Sequence, residues 1–117
     1  MQPDKVYHAV LLEFRPSDPI GVSNTVVELL PRRRREAYAR ALQDVPEPVE
    51  RASDKLIYNG REEAARAAVI LRAVADRVSI QQVQRRNDME TESVYGLAGW
   101  LMPSGHQYVP ISVRETA

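Results

Sequence analysis

Four consecutive arginines, Arg32-Arg33-Arg34-Arg35, with Arg40 further along the same segment, are the sharpest charge feature of the chain. A guanidinium group forks onto carboxylates and phosphates with two parallel hydrogen bonds, so such a run could grip an acidic protein surface or a nucleic-acid backbone. Successive positions on a helix point ~100° apart, so the four cover all its sides rather than one stripe. The competing reading is a solvated helix start that also carries Glu36. Positive charge there opposes the helix dipole by about 0.3–1 kcal/mol, which predicts an offsetting contact. No aromatic platform accompanies the run, which favours an acidic protein over single-stranded nucleic acid.

The other reactive residue types form no catalytic constellation. His8 stands on the apolar side of a strand pattern with no serine, cysteine or aspartate placed by a motif to partner it, and His106 lies in a turn beside Gly105. Glu62 and Glu63 are neighbours on a helix and diverge, and Glu62 fits a capping role. There is no glycine-rich phosphate loop, P-loop or nucleophile elbow. Cysteine is absent, and the two histidines are far apart. This removes disulfides, thiolate chemistry and thiolate metal sites. No catalytic residue, metal or cofactor is expected. Trp100, the one tryptophan, sits in Leu97-Ala98-Gly99-Trp100-Leu101-Met102. Tryptophan and methionine are enriched where proteins meet, so Trp100 and Met102 are further partner-binding candidates; the alternative is that they pack onto the chain's own sheet.

The elements that must position these residues follow from pattern. The 117 residues fit one small domain, and 44% hydrophobic content supports a core. Sixteen basic and sixteen acidic side chains cancel, so no overall field draws the chain to nucleic acid or anionic lipid. No run approaches a membrane span, and no basic-then-apolar signal pattern opens the chain, which makes the cytoplasm the expected compartment. Residues 1–86 carry fifteen basic and twelve acidic side chains, whereas 87–117 carry one basic and four acidic. The shift divides a compact body from a C-terminal extension packed on the body or on a partner.

Lys5 to Arg15 reads as a strand, with Val6, His8, Val10, Leu12 and Phe14 on the core face. Val26 to Leu30 reads as a short helix, Pro31 as the first turn of a second one running to Asp44, and Pro46-Glu47-Pro48 as its stop. Leu56-Ile57-Tyr58 has strand character. Asn59 then caps a helix over Arg61 to Val78, with Ala64, Ala68, Leu71, Ala75 and Val78 on one face. Ile80 to Arg85 is a strand. Val94 to Met102 and Gln107 to Arg114 form a hairpin around Pro103-Ser104-Gly105-His106. The fold class is therefore α+β: a small sheet with helices on one face, in the order β-α-α-β-α-β, followed by a C-terminal β-hairpin. A lone hairpin is marginal in water, so it must lean on the body or on another chain, which makes a homodimer through the hairpin one expected arrangement.

That order resembles the C-terminal domain of the ribosomal stalk protein and the Clp protease adaptor family. The resemblance is carried by Tyr7-His8-Ala9-Val10-Leu11-Leu12, Val26-Val27-Glu28-Leu29-Leu30, Glu36-Ala37 through Ala41-Leu42, Pro46-Glu47-Pro48-Val49, and Tyr58 followed by Arg61-Glu62-Glu63-Ala64. It implies a small α/β fold and a protein-binding role. Glu13-Phe14-Arg15-Pro16 stands where the adaptors carry Asn-Asp-Asp, so their capture of N-terminal residues is not implied. The combined expectation is a non-enzymatic interaction module or adaptor. It would bind another protein with an acidic surface through Arg32, Arg33, Arg34, Arg35 and Arg40. A nucleic-acid-associated protein contacting phosphates through Arg32 to Arg35 is the alternative.

Overall fold

A computed structural model describes residues 5–14, 27, 30–86, 99–111 and 113–116. The elements are β1 (Val6–Glu13), α1 (Arg32–Asp44), β2 (Glu50–Ala52), β3 (Lys55–Tyr58), α2 (Arg61–Leu71), β4 (Arg77–Arg86), β5 (Trp100–Leu101), β6 (Gln107–Pro110) and β7 (Glu115–Thr116). The fold is mixed α/β, with an antiparallel sheet ordered β2-β3-β1-β4-β6-β5. β7 joins the same edge of β4 as β6, at Ser79 and Ile80. No helix among the described residues is long and apolar enough to cross a membrane.

β1 is central, and both of its faces are covered. Val10, Leu12 and Phe14 join Tyr38 of α1 and Ala64, Ala67, Ala68 and Leu71 of α2 in one core. Tyr7, Ala9 and Leu11 point the other way and pack with Ile57, Val83, Met102 and Tyr108. The single core face expected for this strand is thus corrected to two, because the sheet curls over its second face. In a flat sheet the four steps from β2 to β6 would separate them by about 19 Å. Instead the Tyr108 hydroxyl donates a hydrogen bond to the Glu50 carboxylate, so the two ends of the sheet come round to meet.

α1 starts at Pro31, whose extended backbone puts it at the cap rather than inside the first turn; its carbonyl accepts from the Arg34 and Arg35 amides. The helix ends at an extended Val45, before Pro46-Glu47-Pro48. Gly60, not Asn59, caps α2, and no side chain supplies the cap bond. Glu62 and Glu63 occupy the first turn, where negative charge complements the helix dipole. Three small alanines let this helix approach the sheet closely. It stops at Leu71, seven residues before the expected end, because the Asp76 amide bonds to the Glu13 carbonyl and commits the chain to β4. Val78 belongs to that strand, and its apolar side chain reaches the same core from the sheet.

β2 and β3 form a tight hairpin where only Leu56 to Tyr58 has clear strand character in sequence. β5 pairs with β6 across Pro103-Ser104-Gly105-His106, and Gly105, at φ 94°, takes the left-handed conformation this turn requires. The short helix expected over Val26 to Leu30 and the strand expected from Val94 lie largely outside the described residues.

Candidate functional site

The arginine run is divided by its neighbours. Arg34 turns inward: its Nη2 is 2.7 Å from Asp76 Oδ2 and 3.5 Å from the Val74 carbonyl, and its guanidinium lies 5.7 Å from the centroid of Phe14. It ties the start of α1 to the α2–β4 turn, an offsetting contact of the kind the helix dipole demands. Arg32 pairs with Glu36 at 2.8 Å along the exposed helix surface. Arg33, Arg35 and Arg40 are exposed and make no ion pair among the described residues.

A groove of about 450 Å³ runs between α1 and the β2–β3 hairpin. Arg35, Tyr38, Ala39 and Leu42 line it from one helix face at i, i+3, i+4 and i+7 spacing; Arg51, Ala52 and Ser53 line it from the hairpin, and Pro103 contributes from the far turn. Its floor is fixed by the Tyr38 hydroxyl, which donates to the Ser53 carbonyl at 3.0 Å. Burial pushes the Tyr38 phenol up to about 12, so it remains a neutral donor. The groove thus combines apolar walls with an exposed arginine on each side, Arg35 and Arg51, a surface able to hold an apolar residue flanked by carboxylates.

The other two candidates lie away from α1. Trp100 is half-buried against the inner core, with the Lys55 ammonium 5.8 Å from its ring centroid. Met102 is 2% exposed within that core, so it presents no side chain to solvent.

Two clusters were not singled out by residue type and spacing. Glu50 on β2 accepts from Ser104 Oγ at 2.5 Å, from the Tyr108 hydroxyl, and lies 2.9 Å from His106 Nδ1. Burial disfavours its charged form, but the hydrogen bonds from Ser104, Tyr108 and His106 outweigh this and hold the carboxyl below its ordinary value. A serine, a histidine and a glutamate together suggest a hydrolase triad. The geometry is wrong for one: Ser104 Oγ, at 3.2 Å, approaches the same Nδ1 that faces Glu50. A triad needs nucleophile and acid on opposite ring nitrogens. The cluster fastens β2 to the β5–β6 turn. The alternation of Ser104, His106 and Tyr108 is its one trace in sequence.

The second is a cavity of about 270 Å³ lined by His8 of β1, Arg61 of α2, Ile80 and Gln82 of β4, Val113, and Glu115 of β7. Arg61 Nη2 and Glu115 Oε2 pair at 3.0 Å at its rim. His8 Nδ1 is buried and lacks a hydrogen-bond partner. Burial, and then the Arg61 charge, lower the His8 pKa against an opposing pull from Glu115. The imidazole stays neutral near pH 7. Compared with known proteins, the chain matches no family model, no curated protein and no solved structure.

Proposed function

We propose that this protein is a non-enzymatic interaction module that docks an acidic segment of a partner protein in the groove between α1 and the β2–β3 hairpin. The observation that carries this reading is the pairing of apolar walls with Arg35 and Arg51, each exposed and without an ion pair among the described residues. Arg33 and Arg40 add positive potential on the same helix and would speed encounter with an acidic partner. Arg34 serves the fold, and Met102 is part of the core. In this reading the module works in the cytoplasm, and residues 87–117 complete it; pairing of β6 and β7 with β4 supports that.

The test uses a fluorescent peptide in which leucines are flanked by aspartates and glutamates, followed by anisotropy. The double variant R35E/R51E should weaken binding by at least about tenfold, roughly 1.4 kcal/mol, with unfolding unchanged. Equal binding by the variant would refute the groove. Preferential binding of a single-stranded oligonucleotide, with a steep loss of affinity as salt rises, would assign the arginines to phosphates instead.

A further inference from the structure

We propose that the cavity between β1, β4, α2 and β7 binds a small zwitterion, a free α-amino acid with an apolar side chain. Its volume, about 270 Å³, falls just under the ~300–1,000 Å³ of sites for drug-sized ligands, and so suits one small metabolite. Its charges select the ligand class. Arg61 and Glu115 bring one positive and one negative group to the same rim, 3.0 Å apart. A simple anion meeting Arg61 would be repelled by Glu115, and a simple cation meeting Glu115 would be repelled by Arg61. A ligand carrying both charges on groups attached to one carbon satisfies both residues at once.

The uncharged surfaces complete the match. His8 lines the cavity together with Glu115, whose carboxylate takes the ligand ammonium. Burial keeps His8 neutral, which avoids repelling that ammonium. Ile80 and Val113 form the apolar part of the lining. Val113 is 88% exposed, and an apolar ligand side chain would cover it. The Arg61 guanidinium takes the carboxylate, and Gln82 stands beside them as a further polar group.

The experiment is an NMR titration of the full chain, following the His8 ring signals, with free L-leucine, 4-methylpentanoate and 3-methylbutylamine as probes. Leucine should shift the His8 signals saturably in the millimolar range or below. The two probes that lack one charge should bind at least about tenfold more weakly. Glu115→Gln should weaken leucine binding and abolish the preference for leucine over 4-methylpentanoate, while Arg61→Gln should remove leucine binding. Both side chains are largely exposed, so the fold should survive either change. Unmoved His8 signals under millimolar leucine, equal affinity for 4-methylpentanoate, or unchanged binding in both variants would each overturn the proposal. The R35E/R51E variant should titrate with leucine like the parent, which separates this site from the groove on α1.

Discussion

Replacing Tyr108 by phenylalanine probes how firmly the sheet is fastened end to end. The ring is fully buried, and its hydroxyl donates to a carboxylate. A hydrogen bond to a charged group contributes about 1.5–3 kcal/mol, against about 0.5–1.5 for a neutral pair. Glu50 keeps Ser104 and His106 as partners, and its side chain is 13% exposed. The expected cost is therefore in the lower half of the charged range, about 1.5–2 kcal/mol. In a domain of this size that lowers the melting temperature by about 6–8 °C. Tyr58→Phe is the internal control: it removes a neutral hydrogen bond to the Pro46 carbonyl at 2.7 Å from an equally buried ring, and should cost less.

The difference must also depend on pH. Glu50 has a folded pKa below its ordinary 4.5. Its stabilisation is complete above that value and is lost as pH falls through the folded pKa. The gap between the parent and Tyr108→Phe, measured by urea unfolding, should therefore be largest near neutrality and close below about pH 4.5. A Tyr108→Phe cost equal to or smaller than that of Tyr58→Phe, or a gap unaffected by acid, would refute the fastening role.

Leu71→Ala, at a fully buried position between α2 and the sheet, should cost about 2–5 kcal/mol in urea unfolding. Arg34→Ala should cost up to about 1 kcal/mol, since its ion pair with Asp76 is partly exposed; exposed Arg33→Ala should stay within about 0.5 kcal/mol of the parent. For His8, the folded pKa lies below the ordinary 6.5. The unfolded chain therefore takes up the proton first, and the parent loses stability as pH falls below that value. His8→Gln should flatten this decline, seen as melting temperatures that converge or cross between neutral pH and about pH 5.

The amphipathic faces were legible in sequence where burial is one-sided, and less so elsewhere. The alanine stripe of α2 reads directly from Ala64, Ala68 and Leu71, and Pro46-Glu47-Pro48 marks the end of α1. β1 conceals its second core because Tyr7 and Leu11 sit at positions that alternation assigns to solvent; only the curled sheet makes them interior. The boundary after Leu71 was missed because Val74, Ala75 and Val78 continue a helical period. What ends the helix is a backbone bond from Asp76 to Glu13, a tertiary contact that local pattern does not encode. Likewise, the arginine run is visible as charge, but the division of its members depends on Asp76 and Phe14, both distant in sequence. Arg51, across the groove from Arg35, attracts no attention until the β2–β3 hairpin carries it there.

The position of β1 between β3 and β4 also has consequences while the chain is being made. Val6 to Glu13 leaves the ribosome before either partner strand, and its longest ladder is with Arg77–Gln84, some seventy residues later. Until then it is a stretch of high β-propensity with few charges and apolar side chains on both faces, the composition that invites pairing with other nascent chains. The β3 ladder, formed with Lys55 to Tyr58, becomes available sooner and can cover one edge. The other edge must wait for β4, so synthesis speed between Tyr58 and Gln84 sets how long a sticky strand stays open.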